Sequence, residues 1–281
     1  MLVNTKELLQ KAKKEKYAVP HFNINNLEWT KYILEECNKN NSPVILGVSE
    51  SAIKYMGGYN VVSSLVQSLI KDLNINIPIA LHLDHGTSFE SCKKAIDAHF
   101  TSVMIDASHC SIEENIKTTK EVVDYAHKHN VSVEAEIGVI SKNSDTNQNK
   151  YAGVEDSINL YKKTNIDSLA PSVGSMHGLY IENPNLNFDL IKEISEKLNI
   201  PLVLHGGTGI PDEDIIKSIQ NGITKININT ELQVEWSKGI KEYIKNNEDV
   251  YDPRKIISSG EENIKKVIKD KLHILGCCNK I

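Results

Sequence analysis

A chain of 281 residues, 40% hydrophobic and 25% charged, has the composition of an ordinary globular protein able to bury a large core. Its net charge of -5 and pI near 6.1 argue against nucleic acid or an anionic membrane surface as the main partner. The stretch M-L-V-N-T-K-E-L-L-Q-K-A-K-K alternates charged and apolar residues at helical spacing and lacks the apolar run of a signal peptide or membrane span, so a cytoplasmic protein is expected.

Along the chain, short β-branched runs alternate with longer amphipathic segments. The runs fall at residues 18–24, 43–49, 77–84, 102–108, 131–138, 168–174, 201–207 and 225–230, and they number eight. Helical periodicity fills the intervals at 27–39, 58–72, 89–98, 112–128, 154–164, 188–198 and 212–221, with a long helix near 231–246 and a last one over 261–271. Thr87 or Ser88 opens the helix carrying Glu90, Pro211-Asp212-Glu213-Asp214 opens another, and Gly222 closes it. Strict alternation at this count predicts an α/β fold, a closed (β/α)8 TIM barrel. No linker or composition shift divides residues 1–281, so a single barrel domain with a C-terminal helical extension is expected. The polar segment 141–150 follows strand five on the side where barrel enzymes keep their chemistry and reads as a mobile active-site loop.

Three strand ends carry histidine before glycine. Residues 79–86 read I-A-L-H-L-D-H-G, residues 171–178 read P-S-V-G-S-M-H-G, and residues 201–207 read P-L-V-L-H-G-G. Any one of these histidines is explained by a hydrogen bond at a polar rim. His85, His177 and His205 at equivalent ends of strands three, six and seven instead suit a catalytic metal, which takes three protein ligands fixed by rigid elements and keeps a fourth position open. The other seven histidines, His21 and His82 among them, read as structural or surface residues. Asp84, next to a proposed ligand, is placed to reach a metal-bound substrate or to orient a histidine. Asp106 and Glu136 end strands four and five, as an outer carboxylate shell or an alternative metal position. The five cysteines, Cys37, Cys92, Cys110, Cys277 and Cys278, are odd in number and lack C-x-x-C spacing, which points to reduced thiols.

Glycines follow these histidines: Gly178 after His177, then Gly206 and Gly207 before Thr208 and Gly209. A small-residue turn after strand seven exposes backbone N–H groups that either make a tight turn or cradle phosphate. Asn227, Asn229 and Thr230, at the end of strand eight, add polar groups to the same corner.

In this order and over nearly the whole chain, H-L-D-H-G, M-I-D-A-S-H, E-A-E-I-G, G-S-M-H-G-L-Y, L-H-G-G-T-G-I-P, K-I-N-I-N-T-E and Y-D-P-R-K resemble the class II, zinc-dependent ketose-bisphosphate aldolases. The resemblance implies cleavage of fructose 1,6-bisphosphate, or of tagatose 1,6-bisphosphate in a sister group, to dihydroxyacetone phosphate and glyceraldehyde 3-phosphate. It implies that His85, His177 and His205 hold one catalytic Zn2+ per subunit and that Asp84 exchanges the proton of the C4 hydroxyl. Gly178, Gly206, Thr208, Asn229 and Thr230 then bind the ketone-side phosphate, with a monovalent cation (Na+ or K+) nearby. Asn227 contacts the enediolate region, and Ser49 and Arg254 take the distal phosphate. A homodimer or larger homo-oligomer follows from the same resemblance.

Two positions depart from the family pattern. The lysine usual after H-G-x-Y is replaced here by Ile181 and then Glu182. The loop usually reading G-G-x-E-D is Ser141-Lys142-Asn143-Ser144-Asp145 in an ungapped alignment, so the proton-transferring glutamate becomes Ser144; either Asp145 serves as the catalytic carboxylate one residue along or that step is slow, and Lys142 is expected to replace the missing phosphate charge. A ketose carrying one phosphate, and a non-catalytic protein that binds zinc and sugar phosphate, are the readings these changes keep open. Intact Asp84 and the complete histidine set argue against the second.

Overall fold

The computed structural model describes residues 1–140, 151–178, 180 and 184–281. Eight parallel strands, β1 (Val19–Asn23), β2 (Val44–Ser49), β3 (Ile79–Gly86), β4 (Ser102–Ile105), β5 (Ser132–Ile137), β6 (Ser168–Pro171), β7 (Leu202–Leu204) and β8 (Ile223–Ile228), pair in sequence order. β8 returns to β1 in the register His21 beside Asn227, so the sheet closes on itself. This is the barrel expected from the alternation of strand and helix patterns.

Helix α1 (Thr5–Glu15) precedes the barrel, and its first residue reaches the N-terminal end of the strands, where Thr5 Oγ1 lies 2.7 Å from Ser132 Oγ. The outer ring is α2 (Leu27–Lys39), α3 (Glu50–Met56), α4 (Tyr59–Asp72), α5 (Phe89–Asp97), α6 (Ile112–Ala126), α7 (Val154–Thr164), α8 (Phe188–Leu198), α9 (Asp212–Gln220) and α10 (Thr230–Asn246). α11 (Pro253–Ser258) and α12 (Glu261–Ile274) follow, and α12 packs against both α2 and α10. Trp29 of α2 and Trp236 of α10 meet edge to face at 6.1 Å, a geometry that adds about 0.5–1.5 kcal/mol beyond burial alone.

Local chemistry explains the element bounds. In α8 the apolar residues recur at helical spacing, Ile191, Ile194 and Leu198 are buried, Asn187 Oδ1 accepts from Leu190 N–H at 3.0 Å, and Asn199 ends the helix in a left-handed conformation. Ser88 and Ser91 form a reciprocal cap at the start of α5. Two short helices, α3 and α11, lie where the sequence periodicity assigns no helix, because neither is long enough to show a full apolar stripe. Strands β4, β6 and β7 stop earlier than the apolar runs suggest, and Thr230 opens α10 instead of ending β8. The residues that follow these shortened strands form the loops of the C-terminal mouth.

Candidate active site

The interior of the barrel is polar on four strands. His21 and Asn23 on β1, His82 and Asp84 on β3, Glu134 and Glu136 on β5, and Lys225 and Asn227 on β8 each occur two residues apart, the spacing that puts both side chains on one face of a strand. All but Asn23 are buried. Room for His21 comes from Gly47 on β2, since a Cβ there would lie 1.7 Å from His21 Nε2.

At the mouth, β3 breaks this alternation. The pairing with β4 slips between Leu83 and Gly86, and His85 takes a left-handed conformation at φ 51°. The bulge re-aims the chain, so His85 faces the mouth although it directly follows inward-facing Asp84. Gly86 is required at the same turn, because a Cβ would meet the Met104 carbonyl at 2.7 Å.

His85, His177 and His205 come together. Their ligand-capable nitrogens all lie within 4.8 Å of one another, and His85 Nε2 is 3.0 Å from His205 Nδ1. His177 does not end a strand: β6 stops at Pro171, and His177 sits in the loop beyond it. Tyr180 holds that loop, with its hydroxyl accepting from Met176 N–H at 2.8 Å and donating to the Gly206 carbonyl at 2.9 Å.

The other nitrogen of two of these rings is fixed by a carboxylate. Asp106 Oδ2 lies 2.9 Å from His85 Nδ1, and Glu134 Oε1 lies 3.0 Å from His205 Nε2. Glu134 also accepts from the fully buried Lys225 ammonium at 2.7 Å. These bonds leave Nε2 of His85 and Nδ1 of His205 pointing at a common space with His177. The donor set fits a divalent ion such as zinc, with ring orientations set from behind.

Electrostatics divide the rings. Burial disfavours charge on His85, but Asp106, Asp84 and Glu136 outweigh it and push its pKa up to about 9. Burial, with His205 and His85 beside it, lowers His177 to about 3. Burial also lowers His205, against the pull of Glu134. Glu136 lies 3.9 Å from His85 Nδ1 and accepts from Ser108 at 3.1 Å; burial and the adjacent Asp106 raise it to about 8. His85, Asp106 and Glu136 thus form a second group of convergent donors behind the first.

Asp84 is buried and accepts from Asn23 Nδ2 at 2.7 Å. Burial opposes its ionisation, but His21, His85, His205 and Lys225 hold its pKa well below the usual carboxylate range.

The glycine corner lies beside this group. Gly206 and Gly178 have φ of 67° and 101°, and a Cβ on Gly206 would meet the Met176 carbonyl at 2.0 Å. Thr208 Oγ1 accepts from Glu231 N–H at 3.4 Å, in the first turn of α10. Asn229 caps that helix without a side-chain bond to it, and the Oδ1 atoms of Asn227 and Asn229 have no protein partner among the described residues. Ser49 caps α3 by accepting from Ala52 N–H at 3.3 Å and lines a cleft of about 290 Å³ with Asn23, Asn25, Tyr55, Asn229 and Gln233. Arg254 is not among the residues lining that cleft: its side chain is 90% exposed and bonds Asp252 through Nε and Nη2. Asp145, with Ser144 and Lys142, and Ile181 with Glu182 lie outside the described residues.

Sequence reading leaves His21 and His82 among structural or surface histidines and does not single out Asn23, Glu134 or Lys225. The signal that finds them is the pair of polar residues at period two inside an otherwise apolar strand.

This is a parallel barrel with three convergent histidines able to take a metal and a glycine-rich turn beside them at the C-terminal ends of its strands, an arrangement that suits a metal-dependent barrel enzyme. Residues 3–280 match the family described as "Fructose-bisphosphate aldolase class-II". The chain is 51% identical over 282 residues to a fructose-bisphosphate aldolase of Staphylococcus aureus, covering 99% of each, and 50% identical to one of Geobacillus stearothermophilus, covering 99% of this chain and 98% of the relative. Among solved structures, the YdjI aldolase from Escherichia coli K12 superposes with a TM-score of 0.87 at 31% identity, covering 100% of this chain and 99% of that one. Fructose-bisphosphate aldolase from Campylobacter jejuni gives 0.86 at 26%, covering 100% and 97%. The chain belongs to the class-II fructose-bisphosphate aldolase family.

Proposed function

We propose that this protein is an aldolase that reversibly cleaves fructose 1,6-bisphosphate to dihydroxyacetone phosphate and glyceraldehyde 3-phosphate, a step of glycolysis and gluconeogenesis. The observation that carries the reading is the convergence of three imidazoles beside a buried carboxylate held in its ionised form. His85, His177 and His205 are the residues that would hold one zinc ion per subunit. When bound there, zinc supplies Lewis acidity toward the C2 carbonyl, favouring the negative charge that develops as the C3–C4 bond breaks.

The chain's own groups have separate tasks. Asp84, ionised at neutral pH, takes the proton of the C4 hydroxyl in cleavage and returns it in condensation. Asn23 holds one of its oxygens. Asp106 orients His85, with Glu136 and Ser108 behind it as a polar support or an alternative ion position. Gly178, Gly206, Thr208, Asn229 and Thr230 are assigned to the ketone-side phosphate, supported by the start of α10, where Asn229 makes no side-chain cap bond and the helix dipole favours an anion. A sodium or potassium ion near that phosphate belongs to the same reading. Asn227 is assigned to the enediolate region and Ser49 to the distal phosphate. For Arg254 to share that task its exposed side chain has to leave Asp252. Asp145 is assigned to proton exchange on the enediolate carbon.

The working protein is further proposed to be one barrel domain with a C-terminal helical extension, acting in the cytoplasm as a homodimer or larger assembly on a small phosphorylated ketose, without nucleic acid or membrane as partner. None of the helices among the described residues is long and apolar enough to cross a membrane.

A coupled assay on zinc-loaded protein tests the activity, comparing fructose and tagatose bisphosphates with chelated and Asp84→Ala controls. Metal-dependent release of dihydroxyacetone phosphate, faster from the fructose sugar, is expected. Zinc binding without cleavage of either sugar defeats the proposal.

A further inference from the structure

Below the metal-capable histidines lies a third convergence, of which the reaction as described uses only Asp84. His21, His82 and Asp84 are all buried, and their ligand-capable atoms lie within 4.8 Å of one another. Among the described residues His21 Nδ1 and Nε2, His82 Nε2 and Asp84 Oδ1 have no hydrogen-bond partner. Buried polar atoms are almost always satisfied, so four together call for an occupant. His21 Nε2 and Asp84 Oδ2 lie 3.9 Å apart, too long for a hydrogen bond and short enough to be bridged.

The spacing admits a water, and the charge of the surroundings selects it. Three atoms separated by at most 4.8 Å share a point within about 2.8 Å of each, the reach of a water hydrogen bond. The buried Lys225 ammonium, paired with Glu134, acts on both His21 and His82. A further cation is disfavoured beside it. Burial, reinforced by Lys225, disfavours charge on both imidazoles, and a neutral imidazole offers one donor and one acceptor. His82 Nδ1 is engaged by Ser102 Oγ at 2.8 Å, which turns Nε2 toward the cluster. The His21 and His82 rings meet edge to face at 5.4 Å.

We propose that His21 and His82 hold an ordered internal water against the Asp84 carboxylate, and that both act as positioning residues fixing the rotamer of that carboxylate under the substrate. The kinetic part rests on the aldolase reading; the water site does not.

Two measurements test this on the full, zinc-loaded chain. The first is a crystal structure with diffraction sufficient to place solvent, collected also at the zinc edge. A peak without anomalous signal, within hydrogen-bond distance of Asp84 and at least one of the two histidines, is expected. Anomalous density there, or no peak, overturns the proposal. The second compares His21→Leu with His21→Gln, which retains an amide able to bond the water. Misplacing a reacting group by about 1 Å costs on the order of 10²-fold, so His21→Leu should lose roughly that much kcat with KM and zinc content unchanged, and His21→Gln should recover part of it. Equal kcat in all three proteins, or a loss that follows zinc content, overturns the positioning role. A wild-type protein that shows the water but cleaves no sugar refutes the aldolase reading and leaves the site standing.

Discussion

Nε2 of His85 and Nδ1 of His205 face each other at 3.0 Å, each on a ring whose other nitrogen is bound by a carboxylate. Two rings held from behind with their remaining nitrogens converging form a site prepared for a cation before it arrives. Loss of either histidine should abolish stoichiometric zinc binding, measured by elemental analysis after dialysis. In the intact protein, zinc at 100 times its Kd should add about 2.7 kcal/mol to stability by linkage. Thermal melts with and without chelator check this, and identical curves would argue against the site.

Asp106 supports the histidine cluster through its 2.9 Å contact with His85 Nδ1. Asp106→Asn keeps the shape but replaces a charged acceptor with a neutral amide, and changes of this kind cost roughly 10–100-fold in metal affinity. Competition against a chromophoric chelator should read that loss while the far-ultraviolet circular dichroism stays unchanged.

Glu134 and Lys225 form a buried pair at 2.7 Å. Removing one partner strands the other charge, so Lys225→Met should destabilise the fold by about 3–5 kcal/mol. Adding Glu134→Gln to Lys225→Met should restore much of that. Urea denaturation of the single and double variants measures the coupling, and simple additivity would show that the pair is not a unit.

Tyr180 joins the loop that carries His177 to the loop of Gly206. Tyr180→Phe leaves the Met176 N–H and Gly206 carbonyl without their shared partner, at a cost of about 1–3 kcal/mol if water cannot replace it. Because the two loops carry a proposed metal ligand and a proposed phosphate contact, zinc affinity and KM should worsen together.

Stability of the metal-free protein should depend on Glu136. Its pKa is raised to about 8 from an ordinary 4.5, so the folded state binds the extra proton between those values. Stability is then fully present below about pH 4.5 and is lost as pH rises toward 8, at no more than about 1.4 kcal/mol per pH unit from this group. Denaturation at several pH values should show this slope shrink in Glu136→Gln.

The sequence by itself determined the barrel, because eight β-branched runs separated by amphipathic helices leave little choice of topology once the strands are parallel. It also marked His85, His177, His205 and Asp84, since ionisable residues clustered at or just before glycine after an apolar run stand out locally. What only the tertiary structure decided is how these groups are supported. Glu134 reaches His205 across 71 positions of chain, and Asp106 reaches His85 across 21. The bulge before Gly86 turns His85 into the mouth against strand alternation, and the space over Gly47 admits the His21 ring. Such contacts depend on which strands become neighbours when the sheet closes, and local periodicity carries no record of that.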